Sequence, residues 1–136
     1  TLDLPIKAKL WDTDVAKTLV IYDSSKADKD SLKKIPKNVF VEKVSSDDPK
    51  LISKLLAKKG CNKVLWECGP ELATAAVRTG CIQEFITFIA PKILGGKNGM
   101  NPFSDFEFED MNEVMNLHFQ EIKPLNNDIY LRSFTR

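Results

Sequence analysis

Cysteine and histidine are both scarce in this sequence. Three cysteines, Cys61, Cys68 and Cys81, show no C-x-x-C spacing, and His118 is the sole histidine. A disulfide framework and a structural zinc site are therefore not expected. The thiols read as reduced side chains of a cytosolic protein. No apolar run approaches the ~20 residues of a membrane-spanning helix. The opening TLDLPIKAKLWD lacks the apolar core of a signal peptide. A charge excess is missing too: 20 Lys and Arg face 19 Asp and Glu, for a net charge of +1. That balance offers no footprint for nucleic acid or an anionic membrane. Thr1 is not a methionine, and Thr1 to Asp12 reads like the middle of a domain. The expectation is a chain whose leader was removed, or a piece of something longer.

What remains is an ordinary globular composition, 43% hydrophobic over 136 residues, enough for one domain with its own core. Lys17 to Tyr22 and Asn38 to Val41 are short apolar runs that read as strands, with a charge-rich stretch from Lys26 to Lys34 between them. A helix follows: Asp48 can cap it, Pro49 suits its first position, and Leu51, Ile52, Leu55 and Leu56 recur at helical spacing before Gly60. Lys63 to Trp66 reads as a strand buried on both faces. A small-residue helix from Pro70 to Gly80 and a strand from Glu84 to Ala90 come next. Met111 to Ile122 alternates, with Met115, Leu117 and Phe119 on one face and Asn116, His118 and Gln120 on the other. After a turn at Asn126-Asn127-Asp128, Ile129-Tyr130-Leu131 returns as the second arm of a hairpin with one wet face. Strands alternating with helices predict an α/β sheet, mostly parallel, ending in an antiparallel pair.

Ligands of open α/β sheets bind where strands end and helices begin. Trp66-Glu67-Cys68-Gly69-Pro70 is such a place. Gly69 lets a ligand approach the backbone, and Pro70 suits the first helical position. The N–H groups of Glu71, Leu72 and Ala73 favour a phosphate. Ala73, Thr74, Ala75 and Ala76 keep the helix slim. Glu71 would repel a phosphate if it turned inward, and it is expected to point outward. The same pattern also describes an ordinary strand–loop–helix joint, and both readings stand. Glu67, directly after an apolar run, is costly to desolvate unless paired, whether with a ligand or with a backbone turn. His118 reads as a solvated surface residue, and the glycines at 95, 96 and 99 as turn residues. Trp11, Phe103, Phe106 and Phe108 read as core or interface, with no basic stripe to make them a stacking platform.

The stretch V-L-W-E-C-G-P-E-L-A-T-A, then Phe85 to Ala90 and Pro91-Lys92-Ile93-Leu94-Gly95-Gly96, resembles the reductase domain of the bifunctional riboflavin-biosynthesis deaminase/reductase. The resemblance implies a dihydrofolate-reductase-like α/β fold, a mostly parallel sheet flanked by helices with a C-terminal antiparallel hairpin. It implies NADPH-dependent reduction of 5-amino-6-(5-phosphoribosylamino)uracil to its ribitylamino product. By the same resemblance Glu67 contacts substrate, and Gly69, Pro70, Glu71, Leu72, Ala73, Thr74 and Ala75 contact NADPH. No residue is assigned a catalytic or metal-binding role, and a cytoplasmic homodimer is implied. The zinc-deaminase signature, H-x-E with P-C-x-x-C, does not occur. By the resemblance, the family's reductase domain begins with several elements ahead of the point that matches Thr1 to Pro5, so residues 1–136 read as the rear part of a reductase domain with its front elements and any deaminase domain absent. A pterin-type reductase paralogue and a non-catalytic nucleotide-binding or dimerisation module are the other readings.

Overall fold

Leu19, Val20, Ile21 and Tyr22 are aliphatic or aromatic residues suited to a pleated surface. They form β1 (Leu19–Asp23) in the computed structural model, which describes residues 4–5, 7–93, 95, 101–104, 106 and 108–135. β2 (Phe40–Val44) lies parallel to it, in a register from Leu19 opposite Phe40 to Asp23 opposite Val44. The charged stretch between them supplies one helical turn, α1 (Lys29–Lys33). Asp28 caps it by accepting the Ser31 N–H. β2 starts two residues later than the apolar run, because the Val39 N–H closes a turn on the Pro36 carbonyl at 3.1 Å and the ladder begins with Phe40. α2 (Pro49–Lys58) has the predicted signals in place. Asp48 accepts the Lys50 N–H at 2.8 Å, and Gly60 takes the left-handed φ of +91° just past the helix.

The chain divides into two units, Thr1–Lys59 and Gly60–Arg136. The second opens with a correction. Lys63 to Trp66 is not a strand but extended chain without a ladder, and Leu65 is 74% exposed rather than buried. An apolar run is buried on both faces only when strands flank it, and no described segment pairs with this one.

α3 (Pro70–Arg78) follows as expected. It ends in a Schellman motif: Cys81 N–H donates to Ala76 O and Gly80 N–H to Val77 O, both at 2.9 Å. Gly80 holds φ +68°. β3 (Glu84–Ile89), β4 (Leu117–Leu125) and β5 (Asp128–Thr135) form an antiparallel sheet in the order β3-β5-β4. Parallel pairing is confined to β1 and β2 among the described residues, so the antiparallel sheet is the larger. The α/β class and the hairpin are as predicted.

The hairpin turns at Asn126 and Asn127, where Asn126 adopts φ +55°, a conformation asparagine tolerates. The long alternating run is shorter as a strand than its pattern predicts. Asp110 accepts the Asn112 N–H and starts a 3-10 turn at Met111–Glu113 instead. Between Phe119 and Glu121 the register slips, so the alternation changes face at Gln120. Ile122 therefore joins Phe119, while Glu121 and Lys123 join His118.

That second face is the wet one. Arg132 reaches Glu84 at 2.6 Å, Lys123 reaches Glu121 at 2.9 Å, and Lys123 lies 4.8 Å from the centre of the Tyr130 ring. On the other face Phe85 meets Phe103 edge-on at 6.2 Å, and Phe103, Phe106 and Phe108 continue as a chain of ring contacts. Phe103 and Phe106 are half-buried in this cluster, whereas Phe108 is exposed and Arg78 lies over the Phe106 ring, a basic neighbour that the sequence did not show. All three cysteines are free. No described helix is long and apolar enough to cross a membrane.

Candidate active site

The start of α3 is built on two residues with little side chain to offer, Gly69 and Pro70. Gly69 is the N-cap, with φ −71° and ψ 169°, and makes no side-chain cap bond. This is ordinary extended backbone, so conformation does not demand glycine here. Nor does space, because a Cβ built on Gly69 meets nothing within 4 Å. Pro70 gives the helix its first residue without an N–H to satisfy.

Ala73 N–H donates to Gly69 O at 3.0 Å. It is therefore spent on the first helical bond and is not one of the free donors expected from sequence. The N–H groups of Glu71 and Leu72 are left, and they make no hydrogen bond among the described residues. With the positive end of the helix dipole behind them, they form an anion-friendly pair of donors. α1 and α2 offer no such pair in the open, since Asp28 and Asp48 fill that role with carboxylates.

From this start a groove of about 400 Å³ is lined by Glu71, Thr74, Ala75, Arg78, Thr79 and Ser104. Glu71 is exposed, as expected, yet lines this groove. Ala75 contributes a small floor. Leu72 is 37% exposed and does not line it. Thr74 is only 5% exposed, and its hydroxyl accepts the Ser104 N–H at 2.9 Å. Arg78 donates to the Phe106 carbonyl and its guanidinium lies 5.8 Å from the centre of that ring.

Glu67 departs from the desolvation argument. It is exposed and makes no hydrogen bond or ion pair among the described residues, so the backbone-turn partner is not realised. Because the apolar run before it stays outside any sheet, its carboxylate is never driven into a dry interior. His118 lies exposed on the wet face of β4, as predicted. Gly95 has the positive φ, +59°, of a turn residue, while Leu94, Gly96 and Gly99 lie outside the described residues. No group of three or more His, Cys, Asp or Glu side chains is arranged to hold a metal among the described residues.

Arg78 and Ser104 were missed by sequence reasoning. Arg78 was legible, since it stands four residues after Thr74 and seven after Glu71 on one helical stripe. Ser104 carried no signal, because its bond to Thr74 spans 30 residues of chain.

The site presents two backbone donors at one end, then a slim groove about 10 Å long from Glu71 to Arg78 at the helical rise, with the Glu71 carboxylate and the Arg78 guanidinium at its two ends. Residues 1–131 match the family described as the RibD C-terminal domain. The chain belongs to that family. Its relatives include the riboflavin biosynthesis protein RibD of Synechocystis sp., 39% identical over 131 residues, which cover 91% of this chain and 34% of that protein. The chloroplastic riboflavin biosynthesis protein PYRR of Arabidopsis thaliana is 34% identical over 119 residues, 86% of this chain and 20% of its own length. The chain thus spans about a third of the first relative and a fifth of the second.

Solved structures share the fold. Acinetobacter baumannii RibD aligns with a TM-score of 0.75 at 24% identity, covering 98% of this chain and 35% of that one. A pyrimidine reductase-like protein from Corynebacterium diphtheriae aligns with a TM-score of 0.77 at 19% identity, over 99% and 58%. The fold is therefore that of the RibD C-terminal domain, in agreement with the dihydrofolate-reductase-like architecture the motifs implied.

Proposed function

We propose that the protein serves riboflavin biosynthesis as an NADPH-dependent reductase of 5-amino-6-(5-phosphoribosylamino)uracil. One observation carries the reading. In a member of the RibD C-terminal domain family, the signature stretch ends at a helix start whose cap is a side-chain-free glycine with open space before it. Nothing in the chain's own packing requires that glycine, which favours a role in admitting a ligand.

The donors at Glu71 and Leu72 and the slim wall at Ala75 fit the diphosphate and ribose of a dinucleotide. NADPH, when bound, supplies the hydride. Delivered to C1 of a ring-opened ribosylamino imine, with a proton from water taken up by its nitrogen, that hydride would give the ribitylamino chain. Glu67, exposed and without a partner among the described residues, accepts hydrogen bonds from the aminouracil N–H groups and orients the ring. Its distance from Gly69, two residues, sets substrate and cofactor side by side, so positioning does most of the protein's work.

The cytoplasm is the proposed compartment, in keeping with three free thiols. A homodimer belongs to the same reading. Phe119 and Ile122, each 62% exposed, with Ile89 and Ile129 at 48% and 46%, leave an exposed apolar patch on one sheet face.

Calorimetric titration with NADPH, with NADH as control, tests the proposal, followed by turnover of the ribosylaminouracil phosphate. Saturable binding that prefers NADPH is the expected result. A folded chain that binds neither dinucleotide would sink the reading.

A further inference from the structure

Thr74 falls on the stretch of residues read as cofactor contacts, yet its hydroxyl is already engaged. It accepts the Ser104 N–H at 2.9 Å and lies 3.4 Å from the Ser104 carbonyl, in position to donate to it. At 5% exposure it has little water to fall back on. Threonine is a mediocre helix former, and a hydroxyl in a helix interior tends to compete with the backbone. A contact outside the helix is therefore the better account of its presence at the fifth position of α3.

We infer that Thr74 is a positioning residue, which pins Ser104 so that residues 101–104 stand as the fixed far wall of the groove along α3. The inference rests on reading α3 as the cofactor helix. Among the described residues Ser104 is the one groove-lining residue outside α3 and the Thr79 that closes it, and the Thr74 hydroxyl is the side-chain group that holds it. The neighbouring contacts agree. Ser104 N–H also approaches Pro70 O at 3.4 Å. One helical turn further along, Arg78 donates to the Phe106 carbonyl. Phe103 meets Phe85 of β3, so the segment bridges helix and sheet with Thr74 as its buried polar anchor. A wall held in place before the ligand arrives spares binding the cost of ordering it. Release of the wall lowers apparent affinity by the fraction of molecules in which it is still seated.

The test compares wild type, Thr74→Val, Thr74→Ser and Ser104→Pro. Val keeps the shape and deletes the hydroxyl, Ser keeps the hydroxyl, and Pro deletes the N–H from the other side. NADPH affinity is read by calorimetry, Ser104 amide exchange by mass spectrometry (the Pro variant excepted), and folding by thermal midpoint. The expected result is affinity about tenfold weaker in Thr74→Val, which loses both hydrogen bonds to Ser104, and in Ser104→Pro, which loses the one its N–H donates to Thr74. Thr74→Ser stays within about threefold of wild type, and Ser104 exchange accelerates in the Val variant alone.

Wild-type affinity in the Val and Pro variants despite a released Ser104 overturns the inference and leaves the reductase reading intact. Equal weakening by Val and Ser overturns it too, since the methyl's packing rather than the hydroxyl would then matter. Absence of NADPH binding by folded wild type removes the reductase reading, and the inference with it.

Discussion

Replacing Gly69 with aspartate should move stability and cofactor binding in opposite directions. The backbone there, φ −71° and ψ 169°, is open to any residue, and a Cβ meets no atom within 4 Å. A carboxylate at the N-cap can take the Glu71 or Leu72 N–H, as Asp48 takes the Lys50 N–H in α2. Aspartate outranks glycine at an N-cap by a few tenths of a kcal/mol. Interaction with the helix dipole adds about 0.3–1 kcal/mol at an exposed end. The sum, about 0.5–1 kcal/mol, corresponds to a thermal midpoint raised by roughly 2–5 °C for a chain of this size.

The same carboxylate occupies a donor proposed for the cofactor diphosphate and repels its charge. Hydrogen bonds to charged groups are worth about 1.5–3 kcal/mol each, so NADPH affinity should fall by roughly a hundredfold. Differential scanning calorimetry and titration calorimetry on one preparation supply both numbers. A lower midpoint would show that the helix start is not open as described. An unchanged NADPH affinity would show that Gly69 does not face the cofactor.

Glu67→Gln should raise KM for the ribosylaminouracil phosphate about tenfold or more while NADPH affinity stays within about twofold, since only a substrate contact is weakened; steady-state kinetics with each substrate varied separates the two. Arg132 Nε donates to Glu84 at 2.6 Å, and this bond holds the Glu84 carboxyl below its ordinary value of 4.5. The lowered value means that its contribution is present at neutral pH and lost as pH falls below about 4.5 through the folded-state value. Glu84→Gln should therefore lower the thermal midpoint at pH 7, with the gap to wild type closing in acid. Gly80→Ala places a Cβ at φ +68° and should cost about 1 kcal/mol, seen as a lower urea midpoint with an unchanged slope. Phe119→Lys combined with Ile122→Lys should convert a dimer to a monomer in sedimentation equilibrium; a wild type that is already monomeric at micromolar concentration would remove the homodimer.

The parts of this fold legible in the sequence are those set by neighbours in the chain. Asp48, Pro49 and Gly60 bound α2 through contacts of a few residues, and Pro70 and Gly80 do the same for α3. The illegible parts depend on distant partners. Val64-Leu65-Trp66 has every local property of a buried strand, but a strand exists only in a ladder, and here none forms. At Gln120 the alternation changes face because β5 sets the register, which no residue of β4 announces.

The candidate site divides along the same line. Its donors belong to a helix start and could be read from five consecutive residues. Its far wall belongs to Ser104, 30 residues from Thr74, and could not. Glu67 shows how an argument of the first kind fails when it borrows a premise of the second. Its pairing was inferred from burial, burial from the strand before it, and the strand from a pattern that had no partner. What survives is covalent: Glu67 lies two residues before the helix cap whatever the strand does, and that tether alone keeps its carboxylate beside the start of α3.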